Sequence, residues 1–484
     1  MLNSATCPPI SSASPGSAGP RCPGKPPAVA SARCYYLSVV DTIVDGVRSS
    51  PDADPPARPA LAARLASPAV QLAALAAGTL LLLVRISGRP AWDGINTEDV
   101  DVFLAQALAH PWHLQSYGGY LELVPRLIGQ IVSLLPIRYA AAGFAVSGAL
   151  IASGCGLLAY HASAPLISSR WLRVLLGLSV LLLPVAQLEI ADNGVNTPFY
   201  LLVALFWAVL WRPRSWAGAS VAAVVAFATV ASSPLALLFA ALLAARAIVV
   251  PHRIRENAVT VGWAIGCLLQ VPFIMASHVS RTAHAAPANS VTYLTRDVIR
   301  PALGWHLAWQ LRGAFGPDGA TLIVGGLLAV ILGLAVATQA RQCRVFVITA
   351  VATGLVFTFV AATLSWLPSQ RVTLGMEPGA RYSTFPILLI DAAVIVSADA
   401  CARRWGPRTW TVYVVAALVA VLAVGWVSDF RYPVSHNRGP AWALTVNTWL
   451  HHCQQGPGKS ITVASGAWFG KAPVTTFSCS SLRR

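Results

Sequence analysis

Four carboxylates fall within nine residues of one polar stretch: Asp93, Glu98, Asp99 and Asp101, in Trp92-Asp93-Gly94-Ile95-Asn96-Thr97-Glu98-Asp99-Val100-Asp101-Val102-Phe103-Leu104. Carboxylates this close can share work. One takes a proton from a hydroxyl, and a second orients that hydroxyl or, as Glu98 and Asp99 could together, holds a divalent cation such as Mg or Mn. A carboxylate at a lipid–water boundary is partly desolvated, which raises its pKa toward that of a useful base. The same residues have a plainer reading. From Val100 the apolar residues Val100, Phe103, Leu104, Ala107 and Leu108 recur at helical spacing. Glu98, Asp99 and Asp101 then occupy a first helical turn capped by Asn96 or Thr97, where acids complement the backbone dipole without any catalytic duty.

A second group follows in Ser116-Tyr117-Gly118-Gly119-Tyr120-Leu121-Glu122-Leu123-Val124-Pro125-Arg126. The glycine pair allows a tight turn. Glu122 and Arg126 are four apart and are expected to pair on a helix; alternatively Arg126 grips a lipid phosphate at headgroup depth. His110 and His113 lack the companions and spacing of a metal site.

The elements that must position these residues are set by composition. The chain is 56% hydrophobic and 11% charged, with mean hydropathy +0.63. Soluble domains carry about 25% charged residues, so this chain needs lipid as its solvent. Apolar runs lie at about 67–86, 138–160, 171–188, 197–211, 215–232, 234–250, 258–276, 319–339, 345–366, 383–400 and 409–427. The expected fold is an all-α integral membrane protein of about eleven transmembrane helices, in a range of roughly ten to thirteen. Residues 1–66 are rich in Pro, Ser and Ala and read as a disordered cytoplasmic tail with no signal-peptide core. Residues 67–427 form the transmembrane domain, 88–137 its first extracytoplasmic loop, and 428–484 a small extracytoplasmic C-terminal segment.

Net charge is +16, and arginine supplies nearly all of it, with lysine only at Lys25, Lys459 and Lys471. Arginine and alanine richness suggests a high-GC bacterial genome. The arginines sit in short loops (Arg170/Arg173, Arg212/Arg214, Arg253/Arg255, Arg341/Arg344, Arg403/Arg404/Arg408), which all fall inside if the N-terminus is inside. That placement argues for the membrane rather than nucleic acid as the partner. Arg85 and Arg89 run against it. Residues 120–135 resemble another span, but Pro125 and the stripe Glu122, Arg126, Gln130 and Ser133 favour an interfacial helix, apolar side in lipid and polar side up. Cys453 and Cys479 fall outside on this topology and form either a disulfide, the favoured expectation, or two separate thiols.

The run Glu98-Asp99…Phe103-Leu104…Tyr117-Gly-Gly-Tyr120-Leu…Val124-Pro-Arg126 after a first span resembles polytopic bacterial proteins of the type-C glycosyltransferase (GT-C) superfamily. Glu189-Ile-Ala-Asp192-Asn193-Gly-Val-Asn196-Thr-Pro-Phe-Tyr200 and Gly379-Ala-Arg381-Tyr382-Ser-Thr-Phe-Pro386 resemble two further segments of that family, so the likeness covers about 80–400. The resemblance implies an N-in topology, interfacial helices in the first outer loop, a catalytic acid there, and a polyprenyl-phosphate sugar as donor for an envelope glycan, lipid or protein acceptor. By position, Glu98 and Asp99 match the acidic motif, flanked by Asp93 and Asp101. Tyr120, Glu122, Arg126, Glu189, Asp192, Asn196, Arg381 and Tyr382 are the candidate substrate-binding residues. No nucleotide-binding glycine fingerprint occurs, which disfavours a soluble nucleotide-sugar donor. Against this stands Asp391, an ionisable group in mid-span, which suits a transporter or lipid flippase.

Overall fold

The computed structural model describes residues 67–186, 190–191, 193–250, 254–277, 291–338, 341–364, 380–405, 409–431, 441–454, 460–464 and 474–479. The tail 1–66 lies outside them, as do Glu189 and Asp192. The described helices are α1 (Pro68–Arg85), α2 (Ala105–Ala109, continuing a π-helical turn Asp99–Leu104), α3 (Leu123–Val132), α4 (Ala140–Ala162), α5 (Arg170–Leu182), α6 (Thr197–Leu210), α7 (Trp216–Ser232), α8 (Ala240–Val249), α9 (Ala258–Ala276), α10 (Trp305–Thr338), α11 (Arg341–Leu364), α12 (Ala380–Trp405), α13 (Thr409–Ser428) and α14 (Trp442–Gln454). Each apolar run of the sequence carries helix. Among the described residues, six helices (α1, α4, α9, α10, α11 and α12) are long and apolar enough to cross a membrane.

The core is built around α6, whose residues from Thr197 to Val209 are all buried. Phe206 and Trp207 pack edge-on and face-on against Phe346 of α11, and Phe206 meets Phe385 of α12. At 14 residues α6 spans about 21 Å, less than a hydrocarbon core of about 30 Å. It is sheathed by longer helices, so its ends meet protein.

The ends of several helices are held by charged side chains from elsewhere in the chain. Arg85, one of the two arginines that oppose the loop-charge pattern, is buried and donates to the carbonyls of Leu181, Leu182 and Leu183 at 2.6, 3.1 and 2.8 Å. It satisfies the last carbonyls of α5, which have no partner within their own helix. Arg246 does the same for α6, donating to Val209 and Trp211 at 2.5 and 2.8 Å. Asp399 accepts from the backbone N–H groups of Ser168 and Ser169 ahead of α5, both at 2.9 Å. Asp429 accepts from Trp305 and His306 at the start of α10, at 2.5 and 3.0 Å.

Three features depart from the sequence reading. The stretch between the apolar runs 258–276 and 319–339 is helical over Leu294–Leu303 and again from Trp305, and α10 continues through a kink at Gly316 (φ 73°, ψ 173°) just before Pro317. α3 is a ten-residue helix whose Leu127 and Ile131 are exposed, whereas Arg126 and Gln130 are buried. The polar stripe therefore faces protein rather than water. The C-terminal segment is not purely helical: β1 (Ser460–Ala464) pairs antiparallel with β2 (Val474–Ser478), Ser460 opposite Ser478. Cys453 of α14 and Cys479 after β2 form a disulfide.

This C-terminal unit docks on the first-loop helices. Trp442, Trp449, Cys453 and Phe477 share one apolar cluster with Val100, Phe103, Leu104, Ile128 and Phe144. Trp442 Nε1 donates to Ile137 O at 2.9 Å, and Phe477 stacks on Trp449 at 5.7 Å.

Candidate functional site

The site assembles where the π-helical turn, the 193–196 loop and the start of α12 meet. Asn96 Oδ1 accepts from Glu98 N at 3.0 Å and starts the helix. The two adjacent acids then point in different directions. Asp99 is fully buried and accepts from the backbone N–H of Gly194 and Val195, at 3.0 and 2.9 Å. Burial pushes its carboxyl up to about 8, against the pull of those two N–H groups. Both of its oxygens are engaged in tying the first loop to the turn ahead of α6. Asp99, expected as a catalytic or cation-binding acid, is thus a structural tie.

Glu98 faces the open side. Its Oε2 lies 3.8 Å from Arg381 Nη1, with the two side chains 29% and 28% exposed. Tyr117 donates its hydroxyl to Glu98 Oε1 at 3.2 Å. Arg381 also reaches Asn196 Oδ1 at 3.5 Å and lies over the Tyr382 ring at 5.4 Å. Tyr382 in turn meets Phe199 edge-on at 5.3 Å. Residues from three distant segments, 98, 196 and 381–382, converge on one carboxylate–guanidinium pair.

Tyr117 and Tyr120 enter through a tight reversal. Tyr117 N donates to Tyr120 O at 2.8 Å and Tyr120 N to Tyr117 O at 3.2 Å. Gly118 and Gly119 have φ of 59° and 89°, the left-handed geometry a two-residue hairpin turn requires. Glu122 follows at φ 52°, ψ 54°, a costly conformation for a residue with a Cβ. It is buried, takes a hydrogen bond from Tyr120, and burial pushes its carboxyl up to about 8. Its Oε2 has no hydrogen-bond partner among the described residues. Burial also pushes the Tyr117 and Tyr120 hydroxyls above their usual range, with the nearby acids adding to it.

The remaining candidates do other work. Arg126 makes no hydrogen bond or salt bridge with Glu122, although their charges act on each other. Its Nε donates to Leu121 O and its Nη1 to Gln106 Oε1, both at 2.6 Å, so it bolts α3 to α2. Asp93 Oδ1 accepts from Ala443 N at 3.0 Å and holds the start of α14. Asp101 is half-buried in the π-helical turn. Asp99 is committed to backbone N–H groups, and the described residues form no group of three or more His, Cys, Asp or Glu that could hold a metal ion. Asp391 is buried within α12, and among the described residues nothing hydrogen-bonds or ion-pairs with it. Tyr117 is the site residue the sequence reading had not singled out; the Tyr-Gly-Gly-Tyr reversal was its signal. Compared with family models and with curated proteins, the chain has no match.

Proposed function

We propose that the chain is a membrane glycosyltransferase of GT-C type. It moves a sugar from a polyprenyl phosphate to an envelope glycan, lipid or protein on the extracytoplasmic face of the cell membrane. The observation that carries this reading is the Glu98–Arg381 pair, drawn from segments 283 positions apart by number (381 − 98) and flanked by Tyr117, Asn196 and Tyr382. A base and a phosphate-steadying cation side by side are what such a transfer needs. Glu98 takes the proton of the acceptor hydroxyl as its oxygen bonds to the anomeric carbon. The bond from that carbon to the phosphate oxygen breaks, and Arg381 steadies the departing phosphate.

The topology behind this reading is about eleven crossings with the N-terminus cytoplasmic. Helix ends agree with the alternation of directions in that topology: Arg85 at the end of α1 meets the end of α5, and Asp399 with Arg403 near the end of α12 meets Ser168 ahead of α5. The Cys453–Cys479 disulfide supports an extracytoplasmic position for the site, because α14 docks on the same loop helices and disulfides persist in oxidising compartments. Glu98→Gln should lower transfer of a labelled sugar by at least about 100-fold, the usual worth of a positioned base, in a protein that still inserts and melts normally. Unchanged transfer ends the proposal. A transporter or flippase is the second reading, favoured by the mid-span Asp391; there Asp391→Asn stops substrate movement and Glu98→Gln does not.

A further inference from the structure

Away from the Glu98–Arg381 pair, arginines crowd the junction between the turn Arg300–Leu303 and the head of α10. Arg300 is buried, and both its Nε and its Nη2 reach a single hydroxyl, Thr321 Oγ1, at 3.3 and 3.2 Å. That hydroxyl already donates to Pro317 O at 3.0 Å. Burial first, and the like charge of Arg312 second, lower the Arg300 guanidinium from its usual range. Arg312 lies over the Trp309 ring at 5.1 Å, and its buried Nη1 has no hydrogen-bond partner among the described residues. Asp297 and Asp318 both act on Arg300, but they are two acids against Arg296, Arg300 and Arg312. Asp297 is bound by Arg296 at 2.8 Å, and Asp318 is exposed beside the kink.

Two guanidinium groups whose like charges act on each other, one of them with an unmet buried donor at Arg312 Nη1, call for an anion. The surroundings indicate where it comes from. Phe315 is 60% and Leu322 75% exposed on the outer surface of α10, a helix apolar enough to span a membrane, and Trp309 is exposed beside them. An aromatic–arginine ring at the head of a lipid-facing helix matches headgroup depth. We propose that Arg300 and Arg312 hold the phosphate of an anionic phospholipid headgroup, with Phe315 and Leu322 against its acyl chains. This assignment does not depend on the sugar-transfer reading.

Native mass spectrometry of the purified full-length chain tests it, with phosphatidylglycerol and phosphatidylcholine of matched acyl chains. The wild type should retain phosphatidylglycerol over phosphatidylcholine. Arg312→Gln should weaken that retention by about fivefold, the usual effect of one arginine at an anionic surface. Arg312→Lys should keep most of it. Arg300→Gln removes a buried group and is paired with a melting curve; Arg312→Gln, on a half-buried side chain, keeps the test open if Arg300→Gln misfolds. Equal retention of both lipids, or equal retention by wild type and Arg312→Gln, overturns the proposal. Complete displacement of the lipid by millimolar inorganic phosphate also overturns it, by showing a soluble-anion site.

Discussion

Glu98 and Asp99 carry the same acid group one residue apart, and their surroundings give them opposite work. Asp99 accepts two backbone N–H groups in a fully buried pocket. Asp99→Asn turns one acceptor into a donor facing an N–H, so stability should fall by about 1–3 kcal/mol, read as a lower melting midpoint in detergent. Glu98→Gln should leave that midpoint unchanged. Glu122 gives a pH signature. Its carboxyl is pushed up to about 8 in the folded chain, while an unfolded glutamate titrates near 4.3. The folded state therefore keeps a proton that the unfolded state has lost. Its stabilising share is full below about pH 4 and is lost as pH rises through about 8. Asp99 acts in the same direction. Melting midpoints should decline between pH 5 and 8.5, and Glu122→Gln should flatten that decline and melt higher at pH 8.5. A wild-type midpoint that rises over this range would contradict the burial of both acids.

At the scale of elements, short helices are anchored by distant charges. α5 has 13 residues and is clasped by Asp399 ahead of its first turn and Arg85 after its last. Arg85→Met removes three hydrogen bonds to buried carbonyls and should cost about 3 kcal/mol or more. Hydrogen exchange at the end of α5 should report it as faster exchange than in the wild type. The π-helical turn Asp99–Leu104 and α3 cross closely at Gly129, where an added Cβ would lie 2.8 Å from Phe103 O. Gly129→Ala should therefore cost about 1–3 kcal/mol by overpacking, again as a lower melting midpoint. The helical runs were legible in the sequence because each is a block of apolar composition, and the ten-residue α3 was legible from Pro125 and its polar stripe. The direction of that stripe was not, because it depends on Gln106 accepting from Arg126 and on Gln270 and Ser232 accepting from the backbone N–H of Leu121 and Val124. The clamps were hidden for the same reason: Arg85 and Leu181 are 96 positions apart. The site was legible as three separate patches. Which acid faces Arg381 was not, because the π-helical turn Asp99–Leu104 shifts the helical phase that regular spacing assumes.

Among the described residues, the segments around 98, 196, 381, 442–454 and 474–479 gather at one end of the bundle. Cys453→Ser opens a crosslink with a sequence separation of 26. It should lower the stability of the docked C-terminal unit by about 3–4 kcal/mol on loop-entropy grounds, seen as earlier proteolysis within 442–479. On the proposed orientation, a cysteine at the exposed Trp112 should react with a membrane-impermeant thiol reagent added from outside intact cells. Reaction only after permeabilisation would invert the topology. The joint apolar cluster of residues 100–144 with 442–479 also fixes an order of manufacture. The first loop leaves the ribosome early, yet Trp442, Trp449 and Phe477, which complete the cluster of Val100, Phe103 and Ile128, are synthesised more than 300 residues later. Until Trp442, Trp449 and Phe477 are translocated, that cluster lacks its last members and stays open to quality-control proteases and chaperones. Truncations or bulky tags near residue 440 should therefore be felt first in the maturation of the loop around Glu98, at the opposite end of the gene.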